Sequence, residues 1–127
     1  MIRRMLQARR IAVVGLSDRP NRPSYDVAKY LQAAGYEIVP VNPRHRSVMG
    51  LECHPDLPSV PGPIDVVNVF RRAEYCPDVV RAAIAVNARG VWLQQGIVSK
   101  EAEQLALAAG IDFVQDRCIK VDHLYRR

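Results

Sequence analysis

Apolar and polar positions along this chain fall into short alternating runs. Ile11 to Leu16 is apolar throughout apart from Gly15, the pattern of a strand covered on both faces. In the loop that follows, Pro20 and Pro23 push the residues before them into extended geometry and keep helix from starting early. Ser24 then reads as an N-cap, Val27, Ala28 and Leu31 recur at helical spacing, and Gly35 stops the helix after Ala34. The same grammar repeats downstream. Tyr36 to Val41 reads as a second strand, Ile64 to Phe70 as a third, Gly90 to Leu93 as a fourth and Ile111 to Val114 as a fifth. A helix over Ala73 to Val86 takes Pro77 in its first turn, where a missing N–H does no harm, and Ser99 and Gly110 bracket another through Ala109.

Three stretches break the alternation. Residues 2 to 9 predict a short amphipathic helix with Ile2, Met5 and Leu6 on one side. Arg44 to Gly62 carries Pro55, Pro58 and Pro61 and reads as an irregular connection with one helical turn near Leu57. The final DRCIKVDHLYRR shows no clear period. Strand and helix otherwise alternate without repeat or linker. That predicts an α/β fold, a Rossmann-like, doubly wound, parallel five-stranded sheet with helices on both faces and right-handed crossovers. The expected strand order is 3-2-1-4-5, with the ligand crevice between strands one and four.

Composition narrows the picture little. At 127 residues the chain reads as one domain, residues 1–127, with 49% hydrophobic residues and enough length for a core of its own. No apolar run reaches membrane-spanning length, and the arginine-rich start is no signal peptide. Cys53, Cys76 and Cys118 form no CxxC pair, which fits a reducing compartment. A cytoplasmic location is expected.

Charge changes more. The net +5 favours anionic partners, and the basic residues gather where the strands end. Ser17, Asp18, Arg19, Asn21, Arg22 and Ser24 follow strand one; Asn42, Pro43, Arg44, His45 and Arg46 follow strand two. Arg71 and Arg72 follow strand three, and Gln94, Gln95 and Gly96 follow strand four. Ligands on such sheets sit beyond these carboxyl ends. Guanidinium groups beside a helix N-terminus suit a ligand with several phosphates. An NAD site fits poorly: the first loop reads Gly15-Leu16-Ser17-Asp18-Arg19-Pro20, with only the first fingerprint glycine. Where an acidic residue should hold the ribose, Asn42-Pro43-Arg44 stands instead. A basic group there suits a phosphorylated ribose, as NADP or coenzyme A carries. His45 with Cys53-His54 lacks a suitably spaced fourth metal ligand, and no nucleophile, base and orienting group can be named from spacing, so neither metal nor catalytic residues are assigned.

Taken in order, VGLSDRPNRPSYDVAKYL, VPVNPR, DVVNVFRRAE, VWLQQGI and DRCI resemble the small stand-alone coenzyme A-binding proteins. Their fold is similar to the CoA-binding domain of nucleoside-diphosphate-forming acyl-CoA synthetases, such as the succinyl-CoA synthetase alpha subunit. The resemblance implies that Gly15, Leu16 and Ser17, with Arg22, Pro23, Ser24 and Tyr25, wrap the CoA diphosphate. It puts Asn42, Pro43 and Arg44 by the adenosine 3′-phosphate. Val69, Phe70 and Arg71 would line the adenine or pantetheine side, Leu93, Gln94 and Gln95 would border the pantetheine, and Cys118 would lie near the thiol. The expected ligand is thus coenzyme A or an acyl-CoA, bound without catalysis, because the synthetases' phosphohistidine lies in a further domain. The alternatives are an NADP-dependent oxidoreductase or a CoA-transfer component that needs a partner subunit. Nucleic acid is not expected as a partner, since aromatics are only 6%, nor a membrane, since no apolar run is long enough to span one; a weak homodimer or a protein partner stays open.

Overall fold

The computed structural model describes residues 1–126. Its elements are α1 (Ile2–Leu6), β1 (Arg10–Val14), α2 (Pro23–Ala33), β2 (Glu37–Val41), β3 (Ser47–Val48), β4 (Leu51–Glu52), β5 (Val66–Val69), α3 (Cys76–Ala85), β6 (Gly90–Leu93), α4 (Lys100–Ala109), β7 (Asp112–Val114) and α5 (Ile119–Leu124). Single 3₁₀ turns cover Leu57–Ser59 and Ala73–Tyr75. The sheet holds β2, β1, β5, β6 and β7 in that order, every pair parallel. Alternate residues of the strands feed two cores. Val14, Val67, Val69, Val91 and Leu93 meet α3 and α4 on one face. Ile11, Val13, Val66 and Trp92 meet α1, α2 and α5 on the other.

The α/β class and the parallel, doubly wound sheet are as expected, but the strand order is not 3-2-1-4-5. Counting only the sheet strands, it is 2-1-3-4-5, so the winding reverses between β1 and β5. Burial alone does not decide the order, since β5 is buried throughout and edge strand β2 is buried from Ile38 to Val41. The proline does. Pro40 has no N–H for a second ladder, so β2 suits an edge. Outside it, among the described residues, lies one isolated bridge, Val41 to His54, in which the His54 N–H donates to the Pro40 carbonyl at 3.0 Å and the Asn42 N–H to the His54 carbonyl at 2.9 Å.

Four smaller differences bear on the site. β1 ends at Val14, and Leu16 lies beyond it as a fully buried residue of the α2 face. Ser24 is not the N-cap of α2; Arg22 holds that position and Pro23 starts the helix, because a fixed φ and an expendable N–H favour proline there. The stretch after β2 contains a hairpin, β3 with β4, turned on Met49 and Gly50 at φ +58° and +73°, a two-residue turn whose positive φ values match strand twist. The aperiodic C-terminal stretch folds as α5, fixed by buried Ile119 and by the Trp92 indole N–H, which donates to the Arg117 carbonyl at 2.8 Å. The cap at Ser99, whose hydroxyl oxygen accepts from the Ala102 N–H at 3.1 Å, and the left-handed Gly110 are as expected.

Candidate functional site

The site grows out of the turn after β1. Gly15 takes φ +87°, and a Cβ on it would stand 2.5 Å from the Phe70 carbonyl oxygen. Only glycine lets the ends of β1 and β5 come this close. Two cross-ties then shape the loop: the Ser17 N–H donates to Ser24 Oγ at 3.0 Å, and Asn42 Nδ2 donates to the Leu16 carbonyl at 3.1 Å. Asn42 Oδ1 meanwhile accepts from the Arg44 N–H at 3.0 Å. The Asn42 amide thus ties the two loops together through Nδ2 and shapes its own loop through Oδ1. No side chain caps α2; Pro23 has no N–H and the Asp26 N–H donates to the Arg22 carbonyl at 3.1 Å, which leaves the Ser24 and Tyr25 N–H groups to meet an anion.

Around this turn lies a cleft of about 610 Å³ lined by Gly15, Ser17, Asp18, Arg19, Arg22, Pro23, Ser24, Asn42, Arg44, His45 and Phe70. Among the described residues, Arg19, Arg22 and Arg44 join none of the ion pairs, while His45 stands 3.7 Å from Asp18. Three unneutralised guanidiniums beside a helix start make a site for a multiply charged anion.

Pro23 and Phe70 also line a second, more apolar groove of about 890 Å³, so the two spaces meet over these residues. It runs past Val27, Ala73 and Ile97 to Gln94, Gln95, Cys118 and Val121. A third, smaller cleft of about 270 Å³ opens between Val14, Val41, Pro43, Tyr75 and Val79. Arg71 lines both the second and third, with its guanidinium 4.5 Å from the centre of the Tyr75 ring.

The residues singled out in sequence thus divide. Gly15, Ser17, Arg22, Pro23, Ser24, Asn42, Arg44 and Phe70 meet in the first cleft, and Arg71, Gln94, Gln95 and Cys118 in the groove. Pro43 belongs to the third cleft. Leu16, Val69 and Leu93 are fully buried in the two cores and offer these spaces no side chain; Tyr25 is half-buried and lines none of them. Tyr75, Val79 and Val121 went unread, Val121 because α5 has too short a period to register.

The cysteines differ in kind. Burial pushes the Cys53 and Cys76 thiols above the ordinary range, so they stay protonated core groups. Cys118 alone lines the groove. In β5, fully buried Asn68 donates through Nδ2 to the Trp92 carbonyl at 3.3 Å and to Gln94 Oε1 at 3.2 Å, while its own Oδ1 is buried without a partner. Such an orphan acceptor costs about 1–3 kcal/mol. A polar residue inside the apolar run VVNVF was its signal in the sequence.

A family model described as "CoA binding domain" matches residues 9–124. The chain is 48% identical over 123 residues to an uncharacterized protein of Bacillus subtilis, YneT, covering 96% of this chain and 91% of that one. A solved structure of a hypothetical protein from Pyrococcus horikoshii superposes with a TM-score of 0.94 at 36% identity, covering 97% of this chain and 87% of that one. The ADP-forming acetate–CoA ligase II of Archaeoglobus fulgidus is 24% identical over 105 residues, which span 81% of this chain but only 16% of the ligase.

Proposed function

Because the chain belongs to the CoA binding domain family, we propose that it binds coenzyme A or an acyl-CoA through the ligand's diphosphate and 3′-phosphate, with no catalysis of its own. One observation carries the reading: the arginine-lined cleft and the apolar groove are joined over Pro23 and Phe70. A ligand with phosphates at one end and a long, weakly polar arm at the other matches that shape. In this reading the diphosphate lies against Gly15, Ser17 and the first turn of α2, with Arg22 as its counter-charge. Arg44 takes the 3′-phosphate. The adenine enters the small cleft beside Pro43 and Tyr75, and the pantetheine follows the groove to Cys118.

Asn42 serves by setting Arg44, since its amide is engaged within the protein. The chain matches only a small part of the acetate–CoA ligase, and ligase chemistry is not carried over. Nucleic acid and membrane are no partners in this reading. Among the described residues no helix is long and apolar enough to cross a membrane. The free thiols of Cys53, Cys76 and Cys118 fit the reducing cytoplasm.

Calorimetry tests the proposal. Coenzyme A is expected to bind in the low-micromolar range or tighter, and dephospho-CoA about tenfold more weakly, roughly 1.4 kcal/mol for one charged contact. Arg44→Ala should reduce coenzyme A affinity to that of dephospho-CoA and leave dephospho-CoA almost unchanged. Binding of NADPH with none of coenzyme A would overturn the proposal in favour of an oxidoreductase.

A further inference from the structure

We infer that Gln94 recognises a carbonyl oxygen of the bound ligand, and that Asn68 holds it in the orientation to do so. The inference rests on the coenzyme A reading and says which part of the ligand meets the far end of the groove.

Two backbone groups fix the polarity of this pair. The Trp92 carbonyl can only accept, so the Asn68 amide must turn Nδ2 toward it, at 3.3 Å. The same Nδ2 reaches Gln94 at 3.2 Å and therefore requires an oxygen there. The Ile119 N–H, 3.4 Å from the same Gln94 Oε1, requires an oxygen from the other side. Reversing Asn68 would satisfy its orphan Oδ1 nowhere and set two carbonyl oxygens against each other. With Gln94 Oε1 claimed twice, its Nε2 has no protein acceptor among the described residues and is left for the groove that Gln94 lines.

Gln94 is 6% exposed, so this is a buried donor held ready at a ligand surface. Two nearby donors are engaged within the protein, the Gly96 N–H by Asp116 Oδ1 at 2.8 Å and Lys120 by Asp26 at 2.9 Å; Gln95 and Arg71 also line the groove, but neither is buried as Gln94 is. An uncharged amide N–H in a largely apolar groove selects a neutral acceptor. Coenzyme A ligands offer such oxygens in the pantetheine amides and in the thioester of an acyl-CoA. Gln94 follows β6, two strands from the arginine cleft, and bonds the residue next to Cys118. That places it toward the thiol end.

The test titrates the full chain with coenzyme A, acetyl-CoA and S-ethyl-CoA, the last matching acetyl-CoA in size but lacking its carbonyl oxygen. If the thioester is the acceptor, the wild type binds acetyl-CoA about fivefold to tenfold tighter than S-ethyl-CoA, the worth of one hydrogen bond. Gln94→Met then abolishes that ratio. Asn68→Leu, which frees Gln94 to rotate, lowers the ratio toward one while the preference for coenzyme A over dephospho-CoA stays as it was. If a pantetheine amide is the acceptor, the wild type does not distinguish acetyl-CoA from S-ethyl-CoA, and Gln94→Met weakens all three ligands about fivefold. Gln94→Glu keeps the oxygen that accepts from Asn68 and Ile119 but replaces the donor with an anionic oxygen; it serves if the methionine variant does not fold, and should bind the carbonyl ligands more weakly still. Either pattern supports the assignment. Wild-type affinities for all three ligands in a folded Gln94 variant overturn it and leave the coenzyme A reading standing, whereas a wild type that binds none of the three sinks that reading itself.

Discussion

At the scale of single residues, two glycines with the same backbone angle separate close approach from mere turning. Gly15 and Gly96 both have φ +87°, but a Cβ on Gly15 meets the Phe70 carbonyl whereas one on Gly96 meets open space. Gly96→Ala should therefore cost only the left-handed strain of about 1 kcal/mol, and Gly15→Ala roughly 2–3 kcal/mol or more, with loss of coenzyme A binding. Urea denaturation of both variants checks the difference, and equal destabilisation would contradict it. The sequence marks Gly15 as the start of a ligand loop, but its reason stays hidden until β5 is placed beside β1. Asn42 shows the reverse. The resemblance puts it beside the ligand, and in the structure its Nδ2 ties the loop after β2 to Leu16 while its Oδ1 accepts from the Arg44 N–H within its own loop.

Among the elements, those with strong local signals were legible and those decided by packing were not. The buried run before Gly15, the Ser99 cap and the Gly110 stop are readable because each is set by a few neighbouring residues. Strand order depends on which strands can take two partners, and Pro40, with no N–H for an outer ladder, fits β2 to the edge although it is nearly as buried as β5. Helix α5 spans only six residues, too few for a period, and is held by contacts from afar. Chief among these is His123, whose Nδ1 lies 2.7 Å from the Tyr30 hydroxyl and 3.1 Å from an Arg126 guanidinium nitrogen. Since Arg126 can only donate, Nδ1 is the accepting nitrogen and the ring is neutral.

Burial, and then the charge of Arg126, hold His123 below its ordinary value of 6.5. The unfolded chain accordingly takes up a proton before the folded one does. The contribution of His123 is complete above pH 6.5 and is lost as the pH falls through the folded value. Denaturation at pH 7 and pH 5 should show a larger loss for the wild type than for His123→Gln. The same loss in both would contradict this account of how α5 is docked.

Over the whole molecule, charge is distributed by function more than by amount. At the amino ends of the strands, Arg4 is paired with Asp112 and Arg10 with Glu37. Arg10 also donates to the Pro61 and Pro63 carbonyls at 2.7 and 2.9 Å. At the carboxyl ends Arg19, Arg22 and Arg44 line the first cleft and join none of the ion pairs among the described residues. The sequence shows the excess of +5 and its gathering at strand ends; which arginines are neutralised depends on acids brought from far along the chain. The winding reversal between β1 and β5 then sets this basic rim against the groove that leads to Gln94 and Cys118. Native mass spectrometry of the full chain, offered equal amounts of coenzyme A, dephospho-CoA and NADPH, tests that combination most directly. A single coenzyme A adduct that outcompetes the other two is the expected result. A dominant NADPH adduct, or no adduct from any of them, would contradict it.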